Sequence, residues 1–402
     1  MLIGCRGKPA PNKHRMNTEQ SRFAARLREI ISSEGRAPRV PSQKNGGSCN
    51  SSLRNFDALA LELFALQFKH NAAYRKICEV RKLTPETVKD WTQIPAVPTA
   101  AFKELELTSL APEERTVIFH SSGTTEQKPS RHFHCAESLA VYEASLWAWF
   151  EQNLFSNSKL KTQNSKFICL TPSPEQVPHS SLVHMFDTVR QKLDALESTF
   201  VGQLATDGSW NLDFAATLAA LADNSKLKTQ NSKLILGTAF SFVHLLDYLA
   251  ENKLRFQLPE NSRVMETGGY KNRSRSMPRA ELHTLIENFL GVPRENIICE
   301  YGMSELSSQA YDSEIQNSKL KTQNLARPFR FPPWARAQII SPETGREVGE
   351  AETGLIRIFD LANVFSVAAI QTEDLGVLRG DGFELIGRAQ LAEPRGCSLM
   401  NA

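Results

Sequence analysis

The chain has 402 residues, 41% of them apolar and 23% charged, a globular composition with length for about two to three domains' worth of core. A formal net charge of +3 is small for this size and excludes recognition driven by charge alone, so no nucleic-acid partner or membrane-surface patch is expected, and no apolar run reaches the length of an integral membrane segment. Seven cysteines, an odd number with no CxxC pair, read as reduced thiols of a cytoplasmic protein and exclude a disulfide frame or a zinc site.

Residues 1–48 come first. Arg, Lys, Pro and Ser dominate as far as Pro41, with neither an apolar core segment nor the apolar stretch of a secretory signal, which predicts a disordered extension. Residues 56–68 form a strongly apolar helix, and 83–91 lead into the extended connector Ile94-Pro95-Ala96-Val97-Pro98. The run Val117-Ile118-Phe119 reads as a strand, and an aromatic helix over 144–155 precedes a strand at 167–170. A helix at 212–223, strands at 234–236, 263–266 and 296–300, and helices at 242–250 and 279–289 continue the alternation, the signature of an α/β domain. After about Arg327 short strands at 329–340, 354–359, 368–371 and 382–387, with turns such as Pro342-Glu343-Thr344-Gly345, predict an antiparallel sheet or small barrel. The expected organisation is an α/β domain of mixed sheets flanked by helices over 49–326, an antiparallel β subdomain over 327–387 and a C-terminal tail over 388–402.

The octapeptide Asn-Ser-Lys-Leu-Lys-Thr-Gln-Asn occurs three times, at 157–164, 224–231 and 317–324. The intervals are unequal and the flanks unrelated, so this is no solenoid. Each copy carries one leucine among polar residues, too little apolar surface to offset its ordering entropy, and each is expected to be an inserted surface loop.

Ser121-Ser122-Gly123-Thr124-Thr125 leaves the strand at 117–119 and is followed by Lys128. Backbone N–H groups freed by a tight turn, with Ser and Thr hydroxyls beside them, surround phosphate oxygens while a lysine supplies positive charge; the loop is a candidate nucleotide site. It departs from GxxxxGK[ST], because the lysine follows the hydroxyls and a single glycine is present, which argues for a different ATP-using fold. An ordinary Ser/Thr/Gly turn is the competing reading.

Further stretches bear on this loop. Glu300-Tyr301-Gly302-Met303-Ser304-Glu305 ends a predicted strand, Thr372-Glu373-Asp374-Leu375-Gly376 precedes a hairpin, and Gly387-Arg388 closes it. Tyr301 suits core packing or the face of a purine, and Glu305 suits a helix cap or Mg2+. Asp374 on local grounds is a turn former, while Gly268 and Gly269 suit a turn or a close backbone approach to a nucleotide. His132 and His134 lack a third ligand at metal spacing.

In this order and spacing the stretches resemble the adenylate-forming superfamily. Five segments narrow the resemblance to acyl-protein synthetases of the LuxE type: Ile94-Pro95-Ala96-Val97-Pro98-Thr99 with Ala101-Phe102-Lys103; 121–125 with Pro129-Ser130-Arg131-His132; Glu266-Thr267-Gly268-Gly269; 300–308; and Arg395-Gly396-Cys397-Ser398-Leu399. The resemblance covers the chain from about Leu53 to its end. It implies that Ser121, Ser122, Gly123, Thr124 and Thr125 meet the ATP phosphates, that Tyr301, Gly302 and Ser304 lie at adenine and Glu305 at Mg2+, and that Asp374 takes the ribose hydroxyls. A fatty acid would be activated as acyl-adenylate and passed to Cys397, with a fatty acid reductase as the receiving protein. Arg388 and Arg395 are cationic neighbours available to that thiol, since an unperturbed cysteine with a pKa around 8.5 is only a few per cent ionised at pH 7. A free thiol in a frayed tail is the bland alternative.

Three departures stand out. Glu126 occupies a position where relatives commonly have glycine, the third octapeptide follows Tyr311 closely, and the chain stops where acyl-CoA ligases continue into a mobile C-terminal subdomain with a catalytic lysine. Two rival functions follow: an acyl-CoA ligase-like adenylating enzyme for an aromatic or aliphatic acid, and a non-catalytic descendant that binds nucleotide or a partner.

Overall fold

A computed structural model describes residues 18–35, 53, 55–121, 128–155, 166–193, 198–222, 232–268, 277–312 and 327–389. The expectations for residues 1–17, for the three octapeptides, for Ser122, Gly123, Thr124, Thr125 and Gly269, and for Cys397 fall outside these residues. In chain order the elements begin with α1 (Thr18–Glu34), α2 (Phe56–His70), α3 (Ala72–Val80), β1 (Val97–Pro98), α4 (Ala101–Glu104), β2 (Val117–His120), β3 (Arg131–His134) and α5 (Ala136–Phe155). Then come β4 (Lys166–Cys169), α6 (Ser181–Lys192), β5 (Thr199–Phe200), β6 (Gly202–Leu204), β7 (Trp210–Leu212), α7 (Phe214–Ala222), β8 (Lys233–Thr238) and α8 (Ala239–Glu251). The last are β9 (Arg263–Thr267), α9 (Arg279–Leu290), β10 (Ile297–Tyr301), β11 (Ala310–Tyr311), β12 (Ala335–Ile340), β13 (Thr353–Asp360), β14 (Ala369–Arg379) and β15 (Gly382–Arg388).

One sheet runs β11-β10-β9-β8-β4-β5, parallel at every pair except β10 with β11. Its strands are near-continuous apolar runs because both faces are buried. Alternation sends Phe167, Leu234, Leu236 and Met265 into a larger core, and Ile168, Ile235, Val264 and Ile297 into a smaller one with α7, α8 and α9. The larger core also takes the buried faces of α1, α2 and α5 and continues into the second sheet. That sheet has the order β1-β14-β13-β12, with β15 paired to β14; β1 joins it in parallel through Val97 opposite Ile370. The extended connector read from the sequence is therefore an edge strand of the C-terminal sheet.

Three expectations need correction. Residues 1–48 are not uniformly extension: α1 buries Phe23, Ala24, Leu27 and Ile31 against the larger core. A basic, polar average hid an apolar stripe at helical spacing. Residues 210–212 are strand β7, paired with β6, so the helix predicted from 212 starts at Phe214. The strand predicted to end near Gln371 runs on to Arg379, which places Asp374 inside β14 and not in a turn, beside a register shift between Leu375 and Gly376.

Since α1 contributes a buried face, Phe23→Ala should lower the unfolding free energy by about 3–5 kcal/mol, whereas Arg28→Ala on its exposed side should change it by less than about 0.5 kcal/mol. Urea unfolding followed by tryptophan fluorescence measures both.

Candidate active site

In open α/β sheets ligands meet the carboxyl ends of the strands, and two such ends carry the predicted motifs here. β9 ends at Thr267, followed by Gly268 at φ +73°, a left-handed turn that favours glycine and has open space where a Cβ would stand. β10 ends at Tyr301 and Gly302. The Tyr301 ring is 7% exposed and packs against Phe383, Phe329 and Phe331 at centroid distances of 5.3, 5.9 and 6.3 Å. Its hydroxyl donates to Asp374 Oδ2 at 2.9 Å. Burial, and then the neighbouring Asp374 carboxylate, hold the phenol well above its usual pKa, so it stays a donor. Tyr301 is thus core at its ring edge and site at its hydroxyl. Asp374 faces Arg388 across the β14–β15 ladder, with the guanidinium Nε 3.5 Å from Oδ1 and largely exposed.

The segment after Tyr301 is held from three sides. His132 Nδ1 donates to the Ser304 carbonyl at 2.9 Å, and Ser130 Oγ lies 3.3 Å from Ser304 Oγ. Burial pushes the His132 imidazole down to about 4, so at neutral pH it is uncharged with its proton on Nδ1, where the carbonyl requires it. The Ser130 N–H in turn donates to Ser121 Oγ at 3.0 Å, which ties the base of the 121–130 loop to the same place. Ser304 Oγ donates to Glu305 Oε2 at 3.0 Å. From the second sheet, Asn363 Nδ2 donates to the Glu305 carbonyl at 2.9 Å, and Gln67 Nε2 of α2 donates to the Asn363 carbonyl at 2.8 Å.

Asp360, the last residue of β13, is the anchor. Its Oδ2 accepts from the Ser307 and Ser308 N–H groups at 2.9 and 2.8 Å, and its Oδ1 from Ser308 Oγ and the Ala362 N–H at 2.7 and 2.9 Å. Burial raises the Asp360 carboxyl to about 6 although these four donors favour the ionised form.

The structure therefore brings together Ser121, Tyr301, Ser304, Glu305, Asp374 and Arg388. Gly268 and Gly302 lie at the turns beside them. The Lys128 ammonium is half exposed and 3.5 Å from Glu104. The helix-cap reading of Glu305 does not hold, because 302–309 is turn and coil; Glu305 is a buried oxygen donor. Among the described residues no three His, Cys, Asp or Glu side chains are grouped to hold a metal. A single carboxylate still fits Mg2+, which takes one or two carboxylates together with substrate phosphates and water. Sequence reasoning missed Asp360, Asn363 and Gln67. The available signal was polar residues set in apolar runs, Phe359-Asp360-Leu361 and Ala362-Asn363-Val364.

The sequence profile described as "Acyl-protein synthetase, LuxE" matches residues 48–402. The chain belongs to this LuxE family. It is 24% identical over 375 residues to the long-chain-fatty-acid–luciferin-component ligase of Aliivibrio fischeri, covering 86% of this chain and 87% of that protein. Against the ligase of the same name from Vibrio harveyi it is 24% identical over 347 residues, covering 84% of each. Among solved structures, an open conformation of 2-hydroxyisobutyryl-CoA ligase in complex with 2-HIB-AMP and CoA superposes with TM-score 0.61 at 12% identity, covering 88% of this chain and 77% of that one. The same ligase in its postadenylation state gives TM-score 0.60 at 13% identity, covering 86% and 73%. This likeness shows that the chain shares the fold of these ligase structures. No helix of the described residues is long and apolar enough to cross a membrane.

Each oxygen of Asp360 accepts from two donors, so an amide there must point its NH2 at one or two backbone N–H groups. Asp360→Asn should cost about 1–3 kcal/mol for each donor left without an acceptor, read as a fall in the urea midpoint at pH 7.5. An unchanged midpoint would remove Asp360 from the anchoring role.

Proposed function

We propose that this protein uses ATP to activate a fatty acid as acyl-adenylate and then takes the acyl group onto Cys397, as an acyl-protein synthetase that delivers to a fatty acid reductase. The observation that carries the proposal is convergence on the segment leaving β10: Tyr301 meets Asp374, which pairs with Arg388, and three residues on Ser304 meets Glu305 and the base of the 121–130 loop, although these residues lie as far apart as 121 and 388. The names of the two bacterial relatives supply the substrate class, a long-chain fatty acid.

A carboxylate is a poor electrophile at neutral pH. In the proposed sequence a carboxylate oxygen attacks the α-phosphorus of ATP, pyrophosphate leaves, and the resulting mixed anhydride has AMP as its leaving group. The thiolate then attacks the acyl carbon, the thioester forms and AMP departs. Mg2+ supplies charge neutralisation on the phosphates. Asp374, an acceptor-only carboxylate oriented by Tyr301 and Arg388, suits the two ribose hydroxyl protons. Glu305 is the oxygen donor assigned to Mg2+, and Ser121, Ser122, Gly123, Thr124 and Thr125 to the phosphates.

The cysteines of the core fit a terminal acceptor. Cys78, Cys135, Cys169 and Cys299 are free and buried. Burial raises the Cys78 thiol to about 11 and pushes Cys169 and Cys299 up as well, which keeps them protonated and poor nucleophiles.

The protein incubated with Mg-ATP and labelled tetradecanoate, without CoA, should acquire hydroxylamine-sensitive label. Cys397→Ser should abolish the label while leaving acid-dependent pyrophosphate exchange intact. Asp374→Ala should weaken Mg-ATP binding by about tenfold to a hundredfold, the loss of charge-assisted hydrogen bonds. Equal label on wild type and Cys397→Ser overturns the acceptor. CoA-dependent AMP release that survives Cys397→Ser points to an acyl-CoA ligase, and absence of exchange with any acid points to a non-catalytic protein.

A further inference from the structure

Glu300 precedes Tyr301 on β10, and its side chain lies between two neighbouring strands: in register it is opposite Thr267 of β9 on one side and Tyr311 of β11 on the other. Thr267 Oγ1 donates to Glu300 Oε2, and Thr267 is the residue at which β9 turns into Gly268. The other carboxyl oxygen lies over Gly302: a Cβ there would collide with Glu300 Oε1. One buried carboxyl thus touches both turns from which the candidate nucleotide residues emerge. We propose that Glu300 is a positioning residue whose carboxyl, in its protonated form, clasps the turns ending β9 and β10 and so sets the geometry of the nucleotide site. The inference rests on the nucleotide reading above.

The surroundings favour the proton. Around Glu300 are Thr267 of β9, Tyr311 of β11 and Tyr142 of α5; Glu266, one residue earlier on β9 and opposite Cys299, acts on it through its charge and is itself 3.3 Å from His283 of α9. Burial and, after it, the Glu266 charge raise the Glu300 carboxyl to about 7 against the Thr267 hydroxyl, which lowers it. Ionisation leaves a buried charge with no counter-ion among the described residues. The carboxylate then swings out or draws water in, and Gly302 moves with it. This accounts for glycine at 302 by the space the clasp occupies.

Titration calorimetry of Mg-ATP with the full chain tests the role in wild type, Glu300→Gln and Glu300→Ala at pH 6 and pH 8. With the protonated form competent and a pKa of about 7, the competent fraction falls from about 0.9 to about 0.1, so the wild-type Kd rises about tenfold. Glu300→Gln keeps an acceptor for Thr267 without charge; its affinity should match wild type at pH 6 and hold at pH 8, and the nucleotide's own titration cancels in the ratio. Glu300→Ala should bind weakly at both. An unchanged pH dependence in Glu300→Gln, or affinity as poor as in Glu300→Ala, overturns the clasp.

Thermal unfolding without nucleotide separates this from the parent reading. A carboxyl raised on folding from 4.5 to about 7 costs stability progressively as pH rises between those values, so Glu300→Gln should gain Tm relative to wild type from pH 5 to pH 8. No gain, or a Glu300→Gln chain that fails to fold, overturns the clasp. Wild type that shows the thermal gain but binds no Mg-ATP overturns the nucleotide reading and with it the functional role of the clasp.

Discussion

A carboxylate at the end of one strand, Asp360, fastens the antiparallel sheet to the loop that leaves the parallel one. Two backbone N–H groups of residues 307 and 308, a serine hydroxyl and the Ala362 N–H all converge on it, so the position of the 302–308 segment relative to β13 is fixed to within hydrogen-bond tolerance. The attachment is costly in charge terms. Raised from 3.8 to about 6, Asp360 contributes most to stability when protonated below about 4, and that contribution is lost as pH rises to 6. At neutral pH the four bonds offset part of that burial cost and hold the loop in place, so leaving their donors unpaired is destabilising.

Around that anchor the two sheets and α2 converge on Glu305. Asn363 carries the link from Gln67 to the Glu305 carbonyl, and His132 and Ser130 hold Ser304 from the β2–β3 hairpin. Apolar packing decides where this polar chain can exist. Tyr301 is wedged among Phe329, Phe331 and Phe383, and Trp334 Nε1 donates to Ser145 Oγ of α5, which in turn lies 2.9 Å from Ser308 Oγ. Each polar contact is made inside a packed aromatic frame, where an unmade bond would cost about 1–3 kcal/mol.

Much of the fold was legible because its signals are local. The strand at 234–236 is an uninterrupted apolar run, as a strand buried on both faces is, the one at 263–266 keeps an apolar centre, Val264-Met265, and the helix at 56–68 differs from the structural one by two residues at its end. The failures came where a local signal was weak or averaged away. In α1 four buried apolar residues sit among arginines and glutamates, and β14 carries an acidic pair that resembles a turn until its partner strands are known. The site was half legible. Tyr301, Ser304, Glu305 and Asp374 stand in stretches whose chemistry is readable from residue type, whereas Asp360, Asn363 and Gln67 reach the site segment through contacts that span 52, 58 and 296 residues.

The sequence alone determined the α/β class, the antiparallel C-terminal sheet and the LuxE resemblance, since each follows from residue type and order along the chain. Tertiary structure decided which side chains share a place: that Asp374 meets the Tyr301 hydroxyl, that Lys128 lies beside Glu104, and that Glu300 and Asp360 are buried carboxyls with no ion-pair partner among the described residues. The physical reason is that burial and cross-strand register are properties of pairs far apart in the chain, and both hydrogen-bond partner and proton affinity are set by those pairs.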